Sequence, residues 1–288
     1  MEVRKRFMVA GHLLRVILDD RIAKRLTNYA PFVSDDDSNP VFTLIVDEGE
    51  EIPNGFVEEW RQEEEGQEIV CGQCEEKPSF LFRWLGKTGG WLVCSPDYAE
   101  AKLTLSGYEG KATFDNAMMV VFAMATSRRG TLLFHSSTVS LDGYGYMFLG
   151  TSGTGKSTHS RLWIENISGT ELVNDDNPVV RVYDDGHIVV YGSPWSGKTP
   201  CYRQASCRLG GIVGLAQAPY NEIRRLGGIE SYALLSASVS GKTWDKSIAD
   251  GLHRTLNALA KQTPVWHLDC LPNSDAATLC CNKIKIDN

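Results

Sequence analysis

One short stretch raises the question of chemistry. Within "FLGTSGTGKSTHSRLW" (148–163), Gly150-x-x-x-x-Gly155-Lys156-Ser157 fits the phosphate-loop pattern at every fixed position. Glycines there let backbone N–H groups curl round a phosphate without Cβ clashes. The lysine brings a point charge to the terminal phosphates, and the serine hydroxyl can ligate Mg²⁺. A helix opening at the same point adds its positive end. The expected ligand is ATP or another nucleoside triphosphate with Mg²⁺. Gly150, Ser152, Gly153, Thr154, Gly155, Lys156, Ser157 and Thr158 would hold it, with Lys156 acting on the phosphates directly.

Moving a phosphoryl group also needs a carboxylate for the metal and something to position the attacking group. "ELVNDDNPVV" supplies Asp175 and Asp176 where an apolar strand ends, one helix and one strand after the loop. Neighbours in a strand point to opposite faces. With Pro178 forcing a turn, however, both can reach the γ-phosphate region. The plain alternative is an Asn/Asp turn without chemistry. Two carboxylates lean toward transfer, since hydrolysis needs only one and a placed water. "YGSPWSGKTPCYRQ" (191–204) carries Lys198 and Arg203 in a Gly/Pro-rich setting. It reads equally as a mobile basic loop closing on phosphate and as a surface loop with two solvated cations. His135, on an apolar strand, reads by itself as a core histidine.

The elements around these residues follow from pattern. Residues 1–32 suggest two short strands, "VFTLIV" (41–46) and "AKLTLSG" (101–107) two more, and "SFLFRWL" with "GGWLVC" a hairpin. "EEWRQEEEGQE" reads as loop or exposed helix. "FDNAMMVVFAMATSRRG" is a buried helix with Asp115 or Asn116 as N-cap and Gly130 as its stop. A strand, an Asp142-Gly143 turn and a second strand then lead into the loop. After it come a helix from Lys156, a strand "TELVND", a hairpin turning at Asp185-Gly186, a buried strand "LGGIVGLAQ", a helix with Ile248, Leu252, Leu256 and Leu259 on one face, and a late strand "PVWHL". The expected organisation is a β-rich N-terminal domain (1–110) and a nucleotide-binding domain (111–288) of α/β class with a mixed sheet. The hairpin before the loop is unlike a doubly wound fold, where a strand and helix would stand there.

On these residues the chain resembles phosphoenolpyruvate carboxykinases in its loop, "GTSGTGKST". More widely it resembles the HPr kinase/phosphorylase family, which shares that P-loop core. His135, 15 residues before Gly150, and the hydrophobic strand ending in Asp175-Asp176 match that family's arrangement. The likeness spans about residues 114–270. It implies a carboxykinase-like core with a mixed sheet and an ATP-dependent kinase acting on a serine hydroxyl of a small protein or peptide. It further implies Asp175 as general base, Asp176 with Ser157 on the metal, and His135 on the acceptor side, with the two aspartate roles open to exchange. The chain departs from the family at Thr158, where a Glu is usual. It departs again at "CRLGGIVGL" (207–215), a loose echo of a later signature with Arg208 as counterpart. The N-terminal region does not resemble the family's.

Composition bounds the rest. The chain has 288 residues, 42 % of them hydrophobic, and a net charge of −7. Residues 35–76 carry 15 acids against the single base Arg61, which reads as a solvated surface or a docking face for a basic partner. No Lys/Arg stripe suits nucleic acid. No apolar run reaches the roughly 18 residues of a membrane span, and the N-terminus does not read as a signal peptide. Eight cysteines, only Cys71 and Cys74 spaced C-x-x-C, read as reduced thiols of a cytoplasmic protein rather than zinc ligands with Cys280 and Cys281. Self-association is open. Two other functions compete. One is a small-molecule carboxykinase-type enzyme using His135, Lys198, Arg203 and Arg208 on a carboxylate substrate. The other is a nucleotide-binding regulator without transfer.

Overall fold

Two-residue turns with both residues at positive φ set much of the architecture. Such turns match the right-handed twist of the strands they join. Ala10-Gly11, Glu65-Gly66, Glu75-Glu76, Leu85-Gly86 and Asp142-Gly143 all take this form. In the computed structural model, residues 1–49, 54–197 and 199–286 are described. The protein is α/β, with two mixed sheets and helices, and it divides into compact units at Met1–Ala125 and Thr126–Asn288.

In the first unit the strands are β1 (Glu2–Val9), β2 (His12–Asp19), β3 (Phe42–Glu48), β4 (Val57–Glu64), β5 (Gln67–Cys74), β6 (Lys77–Trp84), β7 (Lys87–Cys94) and β8 (Glu100–Leu105), with a short helix α1 (Asp20–Ala23) and a long one, α2 (Gly110–Thr126). They form one eight-stranded sheet in the order β1-β2-β3-β8-β7-β6-β5-β4. The β2–β3 and β3–β8 pairs are parallel. The acidic segment that read as loop or exposed helix is instead the edge strand β4 and its turn into β5. Glu65-Gly66 makes the turn, and a strand exposed along almost its whole length tolerates the charges.

Helix α2 starts at Gly110, so Asp115 and Asn116 lie inside it rather than capping it. Asp115 accepts from Lys111 one turn earlier at 2.6 Å and from Asn28 at 3.1 Å. Phe114 packs edge-on to Tyr29, and Phe122 to His12. These contacts place the helix with the first unit, so the division falls after Ala125 and not after residue 110. Cys71 and Cys74 sit three apart on β5, where the pleat sends them to opposite faces, a poor start for a shared metal. No group of three His, Cys, Asp or Glu side chains suited to a metal occurs among the described residues. Among those residues, no helix is long and apolar enough to cross a membrane.

The second unit holds β9 (Thr131–Leu133), β10 (Ser136–Leu141), β11 (Tyr144–Leu149), α3 (Lys156–Asn166), β12 (Glu171–Asp176), β13 (Val179–Val182), β14 (Ile188–Tyr191), β15 (Ser206–Gln217), β16 (Glu222–Arg225), α4 (Gly228–Ser238), α5 (Lys246–Gln262), β17 (Val265–Cys270) and α6 (Ser274–Ile284). The sheet runs β12-β10-β11-β15-β14-β13-β9, and β17 joins β15 further along its length, with β16 on its other side. β11, β15 and β17 are mutually parallel, while β10 runs against β11 and β12 against β10. The carboxyl ends of β11, β12, β15 and β17 and the amino end of β10 therefore meet at one edge of the sheet. α3 and α6 cover one face. Trp163 of α3 and Cys280 and Ile284 of α6 share a buried cluster with Tyr146, Phe148, Val213 and Leu268 of the strands.

Candidate active site

The loop between β11 and α3 is shaped by its glycines and pinned by a neighbour. Gly155 is the residue before α3 at φ 106°, a backbone that side-chain-bearing residues rarely adopt. No side chain caps α3 there; the first helical bond runs from the His159 N–H to the Gly155 carbonyl at 2.8 Å. The N–H groups of its first turn, at Lys156, Ser157 and Thr158, thus point out of the helix as donors. Thr154 folds back on Thr151, donating its hydroxyl to that carbonyl at 2.7 Å. Lys156 Nζ turns over the loop and donates to the carbonyls of Gly150 (3.0 Å) and Thr151 (3.3 Å). From β15, the Gln217 amide donates to the Gly153 carbonyl at 3.0 Å. Ser152, Gly153 and Ser157 are exposed, and Lys156 is buried.

The register of β10 against β12 brings the aspartates to this edge. Ser137 pairs with Asp175 and Ser136 with Asp176. Asp175 is buried, and its Oδ1 accepts from Ser137 Oγ at 2.7 Å. Ser137 Oγ is also 2.6 Å from Ser160 Oγ on α3. Asp175 Oδ2 is buried with no hydrogen-bond partner among the described residues. Asp176 is one-third exposed, and its Oδ1 lies 3.4 Å from His135 Nε2. The Asp176 Oδ2 accepts from Asn177 at 2.8 Å. His135 is held by its backbone, whose N–H donates to the Ser238 carbonyl at 2.8 Å. The two carboxylates therefore keep different company, one a hydroxyl and the other an imidazole.

Asn174 builds the turn that presents them. Its fully buried side-chain oxygen accepts from the N–H groups of Asp176 (3.0 Å) and Asn177 (2.8 Å). Its amide donates to Ser193 Oγ (3.2 Å) and the Trp195 carbonyl (3.0 Å). The segment from Gly192 onward then runs back along β12. Gly197 donates to the Asp175 carbonyl at 3.0 Å, and a Cβ there would sit 2.9 Å from that same oxygen.

Two sequence expectations for basic residues change. Arg203 lies along β12 at its other end, donating to the Leu172 carbonyl and pairing with Glu171, each at 2.9 Å. Strand spacing puts Leu172 about 13 Å from Asp176, so Arg203 is not a phosphate ligand in this arrangement. Arg208 pairs with Tyr144 at the start of β11, the end of the sheet remote from the loop. Lys198 lies outside the described residues. His159, one turn into α3, is no part of the acid–base set. Burial pushes its pKa down to about 4, and its Nε2 accepts from Trp163 at 3.1 Å against the edge of Phe148.

Ser137, Ser160, Asn174, Ser193 and Gln217 are the residues that sequence reasoning missed. Ser137 stands among other hydroxyl residues and Asn174 beside two aspartates, and for all five only the folded chain reveals the partner.

No protein-family model and no curated protein matches the chain. Among solved structures, the chain is similar to the HPr(Ser) kinase/phosphatase from Coxiella burnetii, at 12 % identity over 51 % of this chain and 85 % of that one, with a TM-score of 0.32.

Proposed function

We propose that this protein is a phosphotransferase. It would bind ATP or another nucleoside triphosphate with Mg²⁺ at the β11–α3 loop and pass the γ-phosphoryl group to a serine hydroxyl of a small protein or peptide. The observation that carries this reading is the Asp175 carboxylate. It stands at the loop's edge of the sheet with one oxygen held by Ser137 and the other buried and unpartnered. An unpaired buried carboxylate oxygen is costly and calls for a reason. A hydroxyl from the acceptor satisfies it.

The residues fit the nucleotide. Gly155, the residue before α3, puts no capping side chain over the first turn, and Gly150, Ser152, Gly153, Thr154 and Gly155 shape the loop in front of it. Lys156 moves from its own loop carbonyls to the β- and γ-phosphate oxygens, and Thr158 sits at the edge of the cradle. Ser157 and Asp176 would hold the metal, which would supply neutralising charge to the phosphates. His135 steadies Asp176 on the acceptor side. In the reaction the acceptor oxygen bonds to the γ-phosphorus. The bond from that phosphorus to its bridging oxygen breaks, nucleoside diphosphate leaves with the oxygen, and the hydroxyl proton passes to Asp175 Oδ2. The carboxykinase-type alternative loses support, because Arg203 and Arg208 stand away from this edge.

Incubation of the protein with ³²P-labelled ATP and an extract of its own cells tests the reading. The expected result is a labelled small protein or peptide, and a Lys156→Ala variant whose turnover is lower by roughly 10²–10³. Hydrolysis without any labelled acceptor leaves a nucleotide-driven regulator. A Lys156→Ala variant that binds and turns over ATP like the parent overturns the loop assignment itself.

A further inference from the structure

Ser137, Ser160 and Asp175 form a buried polar chain across three elements, β10, α3 and β12. All three are at most 4 % exposed. A hydroxyl has one proton to give. The carboxylate of Asp175 can only accept, so Ser137 spends its proton on Oδ1. The 2.6 Å contact between the serines is then a bond donated by Ser160 to Ser137. The chain has a direction, from helix to strand to carboxylate. Ser160 is also one turn beyond Lys156, on the same face of α3.

We propose that Ser137 is a positioning residue for Asp175, and that Ser160 ties that positioning to the helix carrying the phosphate loop. Ser137 occupies Oδ1 and fixes the carboxyl plane, which reserves Oδ2 for the attacking hydroxyl. The bond to Ser160 sets the Ser137 hydroxyl by the position of α3, so the base is aligned by the element that grips nucleotide. The inference rests on the phosphotransfer reading above. It goes beyond that reading by assigning the orientation of the base to two serines that touch neither nucleotide nor acceptor.

The test uses the full-length protein, with ATP·Mg²⁺ as ligand and water standing in for the acceptor hydroxyl. Nucleotide affinity is read by calorimetry and phosphate release from γ-³²P-ATP. Ser137→Ala is expected to bind ATP·Mg²⁺ within about threefold of the parent and to release phosphate about tenfold to a hundredfold more slowly, the loss of one bond to a charged group. Ser137→Thr, which keeps a donor, recovers most of the rate. Ser160→Ala leaves the donor but not its orientation and loses less; it carries the test where Ser137→Ala does not fold. A readout without nucleotide is the denaturant midpoint of Ser137→Ala, Asp175→Asn and the double variant, where the two losses are expected to be non-additive. An active parent with Ser137→Ala and Ser160→Ala at parental rates, or additive midpoint shifts, overturns the inference and leaves phosphotransfer standing. A parent that neither binds nor turns over ATP·Mg²⁺ overturns both.

Discussion

His135 Nε2 lies 3.4 Å from Asp176 Oδ1, while the adjacent Asp175 turns away to Ser137. Two carboxylates next to each other in sequence are thereby placed in different surroundings, one partly open and one closed. A metal needs an accessible carboxylate, and a base needs an unsatisfied oxygen, so the two positions suit different tasks.

Exchange of each aspartate for asparagine separates those tasks. On the proposed roles, Asp175→Asn removes the base, a group that acts only in the chemical step. ATP·Mg²⁺ affinity is expected to hold while kcat falls by about 10²–10⁴. On the same proposal Asp176→Asn removes a ground-state metal ligand, so calorimetry should show weaker ATP·Mg²⁺ binding. Equal loss of binding in both, with equal residual rates, reverses this division.

Gln217 reaches the loop from the carboxyl end of β15, three residues beyond Gly214, the last position that pairs with β11. Its bond to the Gly153 carbonyl is an exposed one. Gln217→Ala is expected to raise the ATP dissociation constant about two- to fivefold, the loss of roughly 0.5–1 kcal/mol, with the melting temperature nearly unchanged. An affinity equal to the parent's shows that the loop holds its shape without Gln217.

Arg203 gives the opposite expectation. Its pair with Glu171 is half-exposed and stands at the far end of β12. Exposed pairs of this kind contribute about 0–1 kcal/mol, so Arg203→Ala should leave ATP affinity at the parental value. A tenfold or greater loss of affinity by calorimetry restores Arg203 to the phosphate site.

Asn174 satisfies two backbone N–H groups and donates to a hydroxyl and a carbonyl from a fully buried position. Asn174→Ala leaves those partners without it, and the expected cost is about 2–4 kcal/mol in urea unfolding. A loss under about 1 kcal/mol shows that the turn before Pro178 is held by its other bonds.

The loop and the aspartates were legible because their types and spacing are local. Gly155, Lys156 and Asp175 need only the strand and helix on either side. The hairpin at Asp142-Gly143 was legible for the same reason: a turn dipeptide between two apolar runs. The strand β4 was not, because its seven exposed positions carry no alternation, and an edge strand needs none. Helices α4 and α6 were missed as well: "GIESYALLSAS" buries only Ser231 and Leu235, and the stripe of "SDAATLCCNKI" is made mostly of small residues, Ala276, Ala277, Cys280 and Cys281, with Ile284 its one large member. Ser137 and Asn174 were beyond local reading altogether. Their partners are fixed by the β10–β12 register and by the return of the chain along β12, both long-range facts.

His159 gives a prediction about pH. In the folded protein its pKa is lowered from 6.5 to about 4 by burial. The unfolded chain therefore binds a proton below about pH 6.5 that the folded protein refuses, and stability falls as pH falls through that window. The contribution is complete above pH 6.5 and lost by about pH 4, with a total of about 3 kcal/mol for the shift. His159→Gln removes the titration. The difference in unfolding free energy between parent and His159→Gln, measured in urea at steps from pH 7.5 to 4, should shrink by about that amount across the window. A difference that stays flat means His159 charges normally in the native state. The Trp163 N–H would then face a protonated ring, and the bond to Nε2 would have to be absent in solution.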